Sequence, residues 1–210
     1  MIALLALLAP SDDAIDAFVK AEMTRQHIPG LTVMVKQNGK VLKHQSYGVS
    51  NIETKTPSKN DDRYDMGSIG KTFTAAAIMR LVEDGKLSLT DTVGKHLPGT
   101  SPLWTNITIK HLLSHTSGIG DYVFQPGLGL ADTYTKEKWL TDMGKVPIDF
   151  ETGKFYQYSN SNFVLLGHIL EKVSGKKYTD YVLSGVLKKA GLKAAAFDGG
   201  KPIPNRPHGY

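Results

Sequence analysis

Residues 65–86 read DMGSIGKTFTAAAIMRLVEDGK, and the centre of this stretch supports two incompatible readings. GSIGKT, residues 67–72, ends like a phosphate-binding loop, in which backbone N–H groups cradle a nucleotide. SIGK, residues 68–71, is also Ser-x-x-Lys, a serine one helical turn before a lysine. A phosphate loop needs its first glycine at position 65, between a buried strand and a helix. Asp65 stands there instead, and its carboxylate would face the phosphates. The preceding NDDRYDM is too polar for a buried strand. The nucleotide reading therefore fails on charge and on context.

Ser-x-x-Lys alone is a weak signal. With 13 serines and 21 lysines in 210 residues, chance supplies about one such pair. There are two, Ser68/Lys71 and Ser174/Lys177. Ser174 stands beside Gly175 at the expected end of a helix and reads as a loop serine. Ser68 stands where a helix is expected to begin, and there free N–H groups and the helix dipole favour developing negative charge. Lys71 falls on the same face, within reach of the hydroxyl. A lysine acting as a base must be neutral, and burial or nearby positive charge lowers its pKa from about 10.4.

Outward from this helix, the order is a helix, a hairpin and then mostly helices. SDDAIDAFVKAEMTRQHIPG has Ser11 as N-cap, early acids and a Pro-Gly stop. LTVMVKQNGKVLKHQSYG places two β-rich runs around Asn38-Gly39, a strong hairpin signal. From Ile69 to about Asp84 a helix is expected, with Ile69, Phe73, Ala76 and Ala77 as its apolar stripe and Gly85 as its stop. TIKHLLSHTSG, TKEKWLTDM, NFVLLGHILEKVSG and YTDYVLSGVLKKAGL follow as helices, and the tail FDGGKPIPNRPHGY as irregular chain. Two strands alone make no stable sheet.

A second element is FYQYSNSNF, in which Tyr-x-Asn occurs once, at Tyr158 and Asn160. Chance supplies about 0.3. A tyrosine beside a cationic lysine loses its proton more easily and can pass it to a leaving group. Asparagine both donates and accepts, so it can orient the lysine or grip a substrate amide. Each has a plainer reading: Tyr158 as a half-buried aromatic, and Asn160 as N-cap of the next helix.

SIGK, HLLSHTSGI and YSN followed by LLGHILEKVSG together resemble the serine β-lactamase and penicillin-binding-protein superfamily, on the class C β-lactamase, carboxypeptidase and esterase branch. The resemblance runs from about residue 11 to 209, and PNRPHGY is similar to that branch's segment after the tyrosine motif. It implies an α+β, β-lactamase/transpeptidase-like fold, a helical lobe plus an N-terminal hairpin of an antiparallel sheet. Residues 11–210 then form one domain, with helix and hairpin over 11–60 and a mainly helical lobe over 61–210. It implies acylation of Ser68, proton handling by Lys71 and Tyr158, and a grip on substrate or lysine by Asn160. Tyr-Ser-Asn rather than Ser-Asp-Asn implies that Tyr158 also assists deacylation. The implied activity is an acyl-enzyme serine hydrolase acting on a β-lactam, D-alanyl peptide or ester carbonyl, with no metal or organic cofactor.

One family motif is missing. Lys or His, then Thr or Ser, then Gly is expected on a later strand, which also supplies the second oxyanion N–H. Losing such a donor costs ~10²–10³ in rate. No match follows Ser174, and HTSG at 115–118 precedes the tyrosine motif. The C-terminal strands are thus expected to be missing, through a fragment, a complementing chain or a short relative that dimerises, with an open hairpin edge. The alternative function is an impaired penicillin-binding module without a complete oxyanion hole.

Composition narrows the remaining classes. Cysteine is absent, which excludes disulfides, thiolate metal sites and a cysteine nucleophile. Net charge is +5, but the lysines are scattered without interleaved aromatics, which argues against a nucleic-acid partner. His111 and His115 are four apart, yet zinc motifs of that spacing carry glutamate beside the first histidine, and Leu112 is there. His115, Thr116 and Gly118 are instead expected to form a turn bracing the site. MIALLALLAP, residues 1–10, reads equally as a signal-peptide remnant or a helix start. With the family resemblance, the first reading gives a periplasmic or secreted expectation.

Overall fold

The computed structural model describes residues 12–129, 132–198 and 202–209. The apolar segment 1–10 and the Ser11 cap lie outside the described residues. The chain divides into two compact units: one runs up to Asp65 and takes in the segment from Asp198, the other is Met66–Phe197.

In the first unit, helix α1 (Asp12–Gln26) precedes strands β1 (Gly30–Gln37) and β2 (Lys40–Asn51), which pair antiparallel with Gln37 opposite Lys40. The turn between them is Asn38-Gly39, with φ of 49° and 78°. Two successive positive φ values suit a hairpin turn whose twist matches the strands, and Asn-Gly accepts them at least cost. A short third strand, β3 (Thr56–Pro57), pairs with β2. The sheet order β1-β2-β3 leaves β1 at an edge. Among the described residues no strand follows Pro57. Tyr47 donates to Asp16 Oδ1 at 2.5 Å, and Lys43 pairs with the same oxygen at 2.5 Å, tying α1 to β2. Those partners hold the Asp16 carboxyl below its ordinary range. The described tail residues 202–209 carry no helix or strand but are anchored: His208 N–H donates to Ser50 O at 2.9 Å, and Arg206 pairs with Asp198 at 2.6 Å.

The second unit is helical. Its elements are α2 (Gly70–Glu83), α3 (Val93–His96), α4 (Ile109–Leu113), α5 (Lys136–Met143), α6 (Asn160–Ser174) and α7 (Tyr178–Val182). The core is built on α2 and α6. From α2 come Ala77, Ile78 and Leu81, and from α6 Leu165, Leu166, Ile169 and Leu170; Trp104, Ile109, Leu112, Trp139 and Met143 close around them. Each fully buried aliphatic side chain is worth about 1.5–3 kcal/mol over leaving it in water, so this cluster holds the site-bearing helices in place.

The buried stripe of α2 is Thr74, Ala77, Ile78 and Leu81; of the expected Ile69, Phe73, Ala76 and Ala77, Ala77 belongs to it and Phe73 packs partly buried against the core, whereas Ile69 and Ala76 are exposed. Ile69 is exposed because residues 67–69 form a tighter 3₁₀ turn ahead of α2, and the change of winding shifts its phase. The set 74, 77, 78, 81 keeps the i, i+3, i+4, i+7 spacing of a helix face. Thr74 can join it because its hydroxyl bonds Tyr178 at 2.7 Å. The single helix expected over 178–192 is α7 followed by a π-helical turn at Leu183–Leu187. Gly175 closes α6 with φ 68°, a left-handed cap that glycine adopts without strain.

Candidate active site

Ser68 sits in the 3₁₀ turn Gly67–Ile69 that leads into α2. Gly67 has φ 48°, and this sharp entry presents the serine at the start of the helix. Lys71, one turn on, donates from Nζ to Ser68 Oγ at 3.0 Å. Tyr158 donates from Oη to the same oxygen at 2.8 Å. Asn160, the first residue of α6, accepts from Lys71 through Oδ1 at 2.7 Å. The structure thus brings together all four residues singled out in the sequence. Asn160 does not cap α6; Ser159 holds the N-cap position, without a side-chain cap bond, and the Asn160 amide is used by Lys71. The second serine-lysine pair makes no such group: Ser174 Oγ accepts the Lys176 N–H at 3.2 Å, at the end of α6.

The tyrosine is held from behind. His115 is buried, with φ 56°, and its ring stacks on Tyr158 at 4.6 Å between centroids. Its Nδ1 accepts the Ser159 N–H at 3.2 Å and lies 3.2 Å from Asn162 Nδ2. Ser117 then donates to Asn162 Oδ1 at 2.6 Å. Backbone bonds from Gly153 to Thr116, Gln157 to His115 and Asp149 to Gly118 complete the brace. Burial pushes the His115 imidazole below its ordinary range, and the Lys71 charge pushes the same way. A neutral ring is what Nδ1 needs to accept a hydrogen bond. His111 is occupied elsewhere, in a capping box with Thr108.

Electrostatics follow from the same contacts. Partial burial raises the Tyr158 phenol, but its interactions with Lys71 and Ser68 and the Lys71 charge outweigh burial, so the group titrates below an ordinary phenol. The Lys71 Nζ lies 5.0 Å from the centroid of the Tyr158 ring. Asp121 acts in the opposite sense, raising the phenol by its negative charge.

Asp121 is the residue that the sequence did not single out. It accepts from Asn160 Nδ2 at 2.7 Å. The neighbouring loop is pinned to the start of α6: Ser159 and Ser161 both donate to Gly120 O, at 3.2 and 2.7 Å, and Tyr122 N–H donates to Ser161 Oγ at 2.9 Å. The available signal was its place three residues after Gly118 in HTSGIGDY, just beyond the turn His115, Thr116 and Gly118 read as bracing the site.

A serine hydroxyl is thus gripped by a lysine and a tyrosine, beside an asparagine at the start of α6. The Beta-lactamase family model matches residues 15–210. The chain belongs to the Beta-lactamase family. Among curated relatives, Protein flp of Staphylococcus aureus (strain MW2) is 31% identical over 192 residues, covering 89% of this chain and 38% of that protein. Penicillin-binding protein 4* of Bacillus subtilis (strain 168) is 34% identical over 169 residues, covering 77% of this chain and 36% of that protein. The octameric penicillin-binding protein homologue from Pyrococcus abyssi superposes with TM-score 0.79 at 33% identity, over 93% of this chain and 47% of that one. A class C beta-lactamase gives TM-score 0.82 at 25% identity, over 94% of this chain and 54% of the other. The fold is therefore β-lactamase/transpeptidase-like, and the chain spans about half or less of the length of these Beta-lactamase family relatives.

Proposed function

We propose that this chain carries the acylation site of a serine hydrolase acting on a β-lactam, D-alanyl peptide or ester carbonyl. The observation behind the reading is the convergence of Lys71 Nζ and Tyr158 Oη on Ser68 Oγ, at 3.0 and 2.8 Å. Ser68 Oγ attacks the carbonyl carbon and its proton passes to whichever of these partners is deprotonated. The downward shift of Tyr158 favours a phenolate share for that role. The carbonyl π pair moves onto oxygen, facing the Ser68 backbone N–H. As the tetrahedral intermediate collapses, the bond to the leaving group breaks, and the protonated partner returns the proton to the departing amine or alkoxide. Water then attacks the Ser68 ester by the reverse proton path, releasing the acid and restoring the hydroxyl.

A second oxyanion donor has no assigned source in this sequence, and lacking one costs ~10²–10³ in rate. Acylation is therefore the primary readout, with turnover as the second. The protein is incubated with a fluorescent penicillin, a chromogenic cephalosporin and a p-nitrophenyl ester, beside Ser68→Ala, and the labelled peptide is located by mass spectrometry. Labelling of Ser68 with turnover, both lost in the variant, is the expected result. Stoichiometric labelling of Ser68 without turnover turns the reading into that of a penicillin-binding module. Labelling or turnover that survives in Ser68→Ala overturns it.

A further inference from the structure

We infer that Asp121 is a positioning residue that fixes which way the Asn160 amide faces, and through that amide holds the Lys71 amine on Ser68. The inference rests on the acylation reading above. An asparagine side chain has two nearly isosteric orientations, one presenting C=O and the other NH₂ toward a given neighbour. Lys71 brings donors and needs the C=O. A charged Lys71 opposes the reverse orientation as well, but as the neutral amine that a base requires it can accept as well as donate and no longer forces that choice. Asp121 does, because an ionised carboxylate only accepts. Its Oδ2 lies 2.7 Å from Asn160 Nδ2, while Asn160 Oδ1 lies 2.7 Å from Lys71 Nζ. Turning the amide over would set NH₂ against the amine and oxygen against the carboxylate, so both contacts would fail together.

Asp121 is itself held rigidly enough to act as a reference point. Its other oxygen, Oδ1, accepts the Val123 N–H at 3.3 Å, capping the 3₁₀ turn Tyr122–Phe124. The residues on either side are fixed to α6 by the Gly120 carbonyl and the Tyr122 N–H. Carboxylate, amide, amine and hydroxyl thus form one chain of hydrogen bonds ending at Oγ. The carboxylate also has an electrostatic effect. The groups facing the Tyr158 phenol are Lys71 and Ser68 from the α2 end, His115 from the segment after α4, and Asp121; of these Asp121 carries the negative charge.

The experiment compares acylation of Ser68 in the parent, Asp121→Asn, Asn160→Ala and the double variant, with Ser68→Ala alongside. Asp121→Asn removes the charge and can present NH₂ to Asn160, so the amide is free to turn. A hydrogen bond to a charged group is worth enough that acylation is expected to slow about 10- to 100-fold. Because Asp121 works through Asn160, the double variant is expected within about threefold of Asn160→Ala. The Tyr158 phenol, followed by the tyrosinate absorbance that Tyr158→Phe removes, is expected to titrate at lower pH in Asp121→Asn. A residue that merely anchors its loop would give effects that multiply in the double variant and would leave the phenol where it was; that result overturns the inference, as does a parental rate in Asp121→Asn. Asp121→Glu keeps charge and acceptor and is expected to acylate faster than Asp121→Asn, which guards against a folding defect; equal rates overturn the inference too. If Ser68→Ala still acylates, the site reading itself falls. If Ser68→Ala is silent and Asp121→Asn is normal, only the role of Asp121 falls.

Discussion

Replacing Tyr158 by phenylalanine removes a single atom from the site, and its consequences can be separated. The ring remains, with its stack on His115 at 4.6 Å and its face 5.0 Å from Lys71 Nζ. The residue is 41% exposed, and the hydrogen bond that disappears ends on the exposed Ser68 hydroxyl, so no buried group is stranded. Stability should change by less than about 0.5 kcal/mol. The rate should change much more. A positioned acid-base group contributes ~10²–10⁴-fold. Lys71 remains 3.0 Å from Oγ as a second proton carrier, which places the expected loss toward the lower end, about 10²–10³-fold or ~2.7–4.1 kcal/mol of barrier. The assay is the initial rate of Ser68 acylation by fluorescent penicillin and p-nitrophenyl ester as a function of pH, with urea unfolding as control. In the parent, Lys71 and Ser68 hold the phenol below its ordinary range, so one limb of the profile should lie below the ordinary phenol pKa of about 10. That limb should vanish in the variant. An acylation rate within about threefold of the parent, or the same limb persisting, would refute the assignment of proton handling to Tyr158.

Lys71→Met keeps the methylene stem and removes the charge, so the Tyr158 phenol should titrate at higher pH; an unchanged tyrosinate titration contradicts the electrostatics described above. His168, in α6 with its ring edge-on to Trp139 at 6.2 Å, is pushed by burial, and secondarily by the Lys136 charge, down to about 4. The unfolded chain, titrating near 6.5, then binds more protons than the folded one between these values. Stability from this group is full above about pH 6.5 and falls by up to about 3 kcal/mol as pH drops through about 4. Urea unfolding of His168→Gln should lack this slope, and an identical slope sinks the assignment. Gly118→Ala should destabilise by at least about 2 kcal/mol, since φ is 80° and the new Cβ would lie 2.2 Å from Phe150 O; a denaturation midpoint equal to the parent's would contradict that contact.

How much of this was legible depended on whether a feature is local. The hairpin turn was, because Asn38-Gly39 solves a backbone problem within two residues. The Ser68/Lys71 pair was, because one helical turn fixes its spacing. Tyr158 and Asn160 lie 90 and 89 positions from their partners. Their own chemistry gave only a weak signal, and the family resemblance supplied the rest. The apolar stripe of α2 was read correctly at Ala77 but wrongly at its start, because a 3₁₀ turn and an α-helix wind differently. An apolar residue on the wrong side of that junction, Ile69, cannot be distinguished by type from a core residue. Asp121 was illegible for a more general reason. An aspartate in a glycine-rich loop is ordinarily a turn residue, and its Oδ1 does make that local bond, to Val123 N–H. What sets it apart is the second oxygen, which meets an amide 39 positions away. The nucleophile and its amine are therefore readable from one helix, whereas the group that sets their orientation is supplied by a separate loop. Its identity follows from a single constraint of hydrogen-bond polarity: an amide that must offer its oxygen to a lysine needs an acceptor-only partner on its other side.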